Sequence, residues 1–115
     1  MIKQPKIKPQ AKKELKLETE ELKKSALVLR AINHKLRQRI LLFIHKNGRN
    51  AVSEIYKKLR LEQSVTSQHL ALLRKAGFVL TQREGQNIFY TVNYDRIVQV
   101  NQCAAYLVEK AISLD

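Results

Sequence analysis

LRLEQSVTSQHLALLRKAGFV, from Leu59 to Val79, is the stretch whose reading decides the fold. Thr66, Leu70, Leu73 and Gly77 recur at i, i+4, i+7 and i+11, which is one narrow face of a helix. At about 100° per residue, the opposite face carries Ser64, Gln68, Ala71 and Lys75, with Ser67 at its edge. A generic solvent face is rich in Glu and Lys, and this one has neither until Lys75. Small hydroxyls and amides let a helix approach a groove closely, and glutamine pairs both ways with adenine. The stretch therefore reads as the turn and second helix of a helix-turn-helix, running straight into the first strand of a wing.

Working outward, Phe78–Arg83 and Asn87–Asn93 flank a Glu84-Gly85-Gln86 turn, the pattern of a short antiparallel hairpin. Upstream, Arg60-Leu61-Glu62 makes the tight turn after a third helix, Ala51–Leu59, that turns Val52, Ile55 and Leu59 inward. The second helix, His34–Lys46, carries Leu36, Ile40, Leu41, Phe43 and Ile44 and is stopped by Asn47-Gly48. A first helix over Glu14–Ile32 has a narrow stripe of Leu15, Leu22, Ala26 and Leu29, suited to a partner helix. The last helix, Tyr94–Leu114, carries Ile97, Val100, Ala104, Leu107 and Ala111 at alternating spacings of three and four. That seam packs within the chain or against a second one. With a matching stripe on the first helix, a homodimer joined through both termini is expected. The expected fold class is mainly α with a small β-hairpin, a winged helix-turn-helix in the order α-α-α-α-β-β-α.

The chain of 115 residues makes one domain with a modest core. Residues 1–50 carry fourteen Lys/Arg against four Asp/Glu, and 51–115 carry eight against six, so most of the net +12 lies in the first part. Such a bias implies a polyanionic partner, nucleic acid or an anionic membrane face. No apolar run approaches the ~20 residues of a membrane span, and no signal-peptide core opens the chain, so a cytoplasmic protein is expected. Cys103, the single cysteine, excludes an internal disulfide and reads as a small buried apolar side chain. Residues 1–13, MIKQPKIKPQAKK, have no period and read as a disordered basic arm, either a solvated tail or a source of phosphate contacts. Residues 14–115 then form the winged domain.

SVTSQHLALLRKAGFV, followed by the Glu-Gly turn and IFYTV, resembles the ArsR/SmtB family of bacterial winged-helix repressors. AINHKLRQRILLFI is similar to that family's opening Asn-His-x-x-Arg-x-x-Ile-Leu signature, and the likeness covers about residues 30–93. The resemblance implies dimerisation through the terminal helices and, in many members, metal sensing. Several positions depart from the family pattern. Arg60 stands where glycine is frequent, at a cost of about 1 kcal/mol if the backbone there is left-handed. Glu62 replaces the usual N-cap serine, a poor cap whose charge nonetheless suits the helix dipole. Val65-Thr66 reverses the usual Thr-Val. It turns a hydroxyl inward, where it can bond a backbone carbonyl, and sets Val65 where it can touch a thymine methyl. Gln86 and Asn87 replace paired arginines, leaving Arg83 as the sole wing cation and a weaker phosphate grip.

The family's metal-ligand positions fall on Ala51 and Ser53 in one place and on Tyr94, Arg96, Leu107 and Lys110 in the other, which is no ligand set. His34 and His45 are eleven apart on one expected helix face, but ~16 Å of rise keeps them from sharing an ion. No enzyme constellation is visible. The expected activity is a homodimeric repressor that binds double-stranded DNA at a palindromic operator without a metal cofactor. Gln63, Ser64, Val65, Ser67, Gln68 and His69 are placed in the groove, with His69 beside the core stripe and suited also to a structural role. Arg83, Gln86 and Asn87 are placed on the wing, and Lys75, Arg49 and Lys57 at phosphates. A sequence-indifferent architectural DNA binder is the rival reading.

Overall fold

A computed structural model describes residues 2–3, 13–111 and 113–114, with side chains described over 13–109. The elements in chain order are β1 (Ile2–Lys3), α1 (Thr19–Ile32), α2 (Lys35–Asn47), β2 (Asn50–Ala51), α3 (Val52–Leu59), α4 (Gln63–Lys75), β3 (Val79–Glu84), β4 (Asn87–Val92), α5 (Tyr94–Ala111) and β5 (Ser113–Leu114). The expected order holds, with short strands added. β2 joins the wing as the outer strand of a three-stranded antiparallel sheet, order β2-β4-β3, pairing Asn50 with Tyr90 and Ala51 with Phe89. β1 and β5 pair antiparallel, Ile2 opposite Leu114. Residue 1 and residues 4–12 of the basic arm lie outside the described residues.

The core sits where α2, α3, α4 and the root of the wing meet. Ile40, Ile44, Ile55, Leu70, Leu73, Phe78 and Val79 are fully buried there, as is Thr66. Thr66 follows the inward-hydroxyl reading: its Oγ1 donates to the Glu62 carbonyl at 3.0 Å, so a polar group enters the core already satisfied. Val52 and Leu59 are only half-buried, leaving Ile55 as the sealed residue of α3.

Two helices end in the same way. At the end of α4 the Phe78 N–H donates to the Leu73 carbonyl at 2.8 Å, and the Gly77 N–H to the Arg74 carbonyl at 3.0 Å, a Schellman motif. Gly77 supplies the positive φ of 86° that this motif needs. At the end of α3 the Leu61 N–H reaches the Tyr56 carbonyl at 2.8 Å and the Arg60 N–H the Lys57 carbonyl at 3.3 Å. The left-handed position is here filled by Arg60, at φ 56° and ψ 49°, so the expected strain is present.

Several boundaries differ from the sequence reading. α1 begins at Thr19 rather than Glu14, because Lys13 and Lys16 oppose the positive helix end whereas Glu20 and Glu21 favour a start just before them. Leu15 therefore lies off the helix and 83% exposed, outside the stripe it was assigned to. His34 is not on α2 but caps it: its Nδ1 accepts from the Leu36 and Arg37 N–H groups at 3.2 and 3.4 Å. It thus shares no helix face with His45. Ala51 belongs to β2, and α5 stops at Ala111. Cys103 is exposed rather than buried, as is every residue from Asn101 to Glu109, since nothing among the described residues covers that stretch of α5.

Candidate nucleic-acid interface

The outer face of α4 presents Gln63, Ser64, Ser67, Gln68, Ala71 and Lys75, all exposed, with Val65 half-buried at its margin. The first turn of this helix has no side-chain cap, since Glu62 makes no such bond. Its free N–H groups therefore point outward, where a phosphate oxygen would be favoured. Arg83, Gln86 and Asn87 are exposed on the wing, and Lys57 is exposed on α3. Gly85 takes the first central position of the two-residue wing turn with φ 61°, which suits a hairpin of the II′ class.

The angle between reading helix and wing is fixed by Asn93, a residue the sequence reading passed over. Its Nδ2 donates to the Gly77 carbonyl at 2.9 Å and its backbone N–H to the Phe78 carbonyl at 2.9 Å. The α4–β3 corner and the root of α5 are thereby stitched together. Arg96 of α5 closes over Gly77, its Nε 2.8 Å from where a Cβ would stand.

His69 does not join the exposed face. Its ring centroid lies 5.0 Å from that of His34, and its Nδ1 is 3.2 Å from Arg37 Nη1. Burial, foremost, and then the nearby His34 and Arg37 hold its pKa below the ordinary 6.5, so the ring is neutral and can accept the Arg37 N–H. Arg37 is itself buried; its Nε donates to the Ala31 carbonyl at 2.6 Å and its Nη2 to the Arg30 carbonyl at 3.1 Å. With Gln38 Nε2 on the Ile32 carbonyl at 2.9 Å, the first turn of α2 satisfies three carbonyls at the end of α1. Arg37 thus ties α1, α2 and the reading helix at one point. Its signal in the sequence was a charge at 37 on the face that also carries Ile40, Leu41 and Ile44.

Arg49, assigned to a phosphate, is already engaged. Its Nη2 pairs with Glu84 Oε1, and its Cζ lies 3.9 Å above the Phe89 ring. The terminal stripes divide: Ile97 and Val100 pack half-buried on the chain's own core, and Leu29 is half-buried. Leu22, Ala26, Ala104 and Leu107 are exposed. The side chain of Ala111 lies outside the described ones. Leu27, Tyr106 and Val108, which the stripes omitted, are exposed as well.

The family's metal positions do not converge on a donor set. Tyr94 bonds His45 Nδ1 through its hydroxyl at 2.7 Å, Arg96 lies over Gly77, and Ala51, Ser53 and Leu107 offer no strong ligand. Among the described residues, no group of three or more His, Cys, Asp or Glu could hold a metal ion, and no helix is long and apolar enough to cross a membrane.

Residues 34–81 match the family model described as bacterial regulatory protein, arsR family. The transcriptional repressor PagR of Bacillus anthracis is 34% identical over 83 residues, 71% of this chain and 82% of that protein. The chain belongs to the ArsR family. Among other relatives, the transcriptional activator HlyU of Vibrio cholerae is 40% identical over 70 residues, 61% of this chain and 64% of that one. The crystal structure of NolR from Sinorhizobium fredii superposes with a TM-score of 0.67 at 31% identity, covering 84% of this chain and 96% of that one. The ArsR-family fold is a winged helix, and this member is a transcriptional regulator, not an enzyme.

Proposed function

We propose that the chain is a homodimeric repressor that reads an inverted-repeat operator with the outer face of α4 and grips flanking phosphates with the wing. The observation that carries this is the exposed row Gln63, Ser64, Ser67 and Gln68, short polar side chains on a helix whose far side is sealed in the core. Lys75, Lys57 and Arg83 supply charge around it without base information. Gln86 and Asn87 offer hydrogen bonds to the backbone from the wing turn. His69 acts from behind, by seating the helix. The dimer rests on the terminal helices: Leu22, Leu27, Tyr106, Leu107 and Val108 are 50–66% exposed there, more apolar surface than a lone chain ordinarily leaves bare. No metal is part of this reading, because the inherited positions carry arginine and lysine, Arg96 and Lys110, where a divalent ion needs donors.

The net charge of +12 favours the rival, a binder indifferent to sequence. Competition separates the two. A reader should prefer its selected site over bulk duplex by ~10³-fold or more, and micromolar zinc, cobalt or cadmium should leave that affinity unchanged. Equal competition by bulk DNA would favour the architectural reading, and a tenfold loss with any one ion would reveal a ligand set elsewhere.

A further inference from the structure

Arg49 and Glu84 meet across the gap between the α2–β2 loop and the tip of the wing. The guanidinium sits over Phe89, its Cζ 3.9 Å from the ring centroid, while Nη2 meets the carboxylate. Both side chains are open to solvent, 41% and 53% exposed, and Glu84 is the acceptor that meets Arg49 among the described residues. An ion pair this exposed stabilises a fold little, and Phe89 already lies in the β2–β4 pairing without it.

The charge around the pair is out of keeping with the rest of the molecule. The hairpin from Val79 to Val92 contains one cation, Arg83, and one anion, Glu84, and is therefore neutral in a chain of net charge +12. A phosphate grip at the wing thus rests on Arg83 and on Arg49, whose Nη2 is held by a carboxylate. A carboxylate presents to a guanidinium the same pair of anionic oxygens that a phosphate does.

We propose that Glu84 acts as an internal stand-in for a DNA phosphate. It occupies Arg49 in the free protein, holds it over Phe89, and surrenders it when the duplex arrives. Binding then exchanges one anionic partner for another, so the wing grips DNA less tightly than its geometry allows. The exchange lowers affinity for every sequence alike and leaves selectivity to α4. This rests on the DNA-reading function proposed above.

The experiment is a double-mutant cycle on the full chain, using duplex selected from random sequence and an unrelated duplex of equal length. Glu84→Gln keeps the shape and removes the charge. It should tighten binding to both duplexes by about three- to tenfold and steepen the salt dependence by about one phosphate, a slope change near 0.9. In an Arg49→Gln background the same change should gain at least threefold less, because the released partner is missing. Thermal unfolding should shift little in all three variants. An equal gain in both backgrounds would mean that Glu84 merely repels the duplex through space and would overturn the exchange. Weaker binding by Glu84→Gln would mean that the pair is a clamp the complex needs, and would overturn it too. A parent chain that binds no duplex would overturn the DNA-reading function, and the exchange with it.

Discussion

At the scale of the residue, two side chains sit where their chemistry is at odds with their place. Arg60 holds the left-handed position of a helix end that Gly77 holds elsewhere in the same molecule. Arg60→Gly should relieve the steric cost while adding some freedom to the unfolded chain. A net gain of about 0.5–1 kcal/mol is expected, read as a raised urea midpoint at unchanged slope. A lowered midpoint would mean that the arginine's stem packs more usefully than its backbone suffers. His69 is the second case. Its pKa is held down in the fold by burial and by His34 and Arg37, whereas the unfolded chain protonates it near the ordinary 6.5. Below about 6.5 the unfolded state therefore binds more protons, so stability falls as pH drops through that value and on through the lowered native one. Above 6.5 this group contributes no slope. His69→Gln keeps an acceptor for Arg37 and cannot titrate. Urea unfolding between pH 7.5 and 5 should show a smaller loss for the variant than for the parent, and equal losses would remove His69 from the account.

At the scale of the element, α4 is divided into a face that reads and a face that packs. Gln68→Ala should cost about 1–3 kcal/mol at one base position in each half-site, with neighbouring positions unchanged. Lys75→Ala should weaken all duplexes alike and make the salt dependence shallower. Binding to a library of single-base operator variants measures both, and an unaltered Gln68→Ala profile would mean that the wrong face has been placed in the groove. Much of this helix was legible in advance, because its inward residues recur at helical spacing and its outward ones are chemically unlike a solvent face. What the sequence hid were interactions between distant positions. His69 stands beside the core stripe by its angle, but its partners there, His34 and Arg37, lie thirty-five and thirty-two residues away and meet it only in the fold. Arg49 reads as a free cation until Glu84 and Phe89 are folded beside it. β2 was missed because two residues carry no period, and its pairing depends on where β4 lies. The start of α1 was misplaced because Leu15 extends the heptad-like stripe, while the charges around it favour Thr19.

At the scale of the whole molecule, the fold leaves two kinds of surface unspent. One is the polar row of α4 with its wing, and the other is the apolar surface of α1 and α5, where Leu27, Tyr106 and Val108 lie exposed, as does Cys103. The first was placed by sequence alone. The extent of the second was not, because Ile97 and Val100 belong to the stripe by spacing yet pack on the chain's own core. If the apolar flanks join two chains about a two-fold axis, the two α4 helices must meet successive major grooves on one side of a duplex, about 34 Å apart or a multiple of it. The central claim then has one direct measurement, the selection of bound fragments from random duplex with the oligomeric state of the complex read alongside. The expected result is an inverted repeat with half-sites roughly one helical turn or a whole multiple apart, bound by two chains. A single unrepeated site bound by one chain, or a bound pool with no shared sequence, would contradict it.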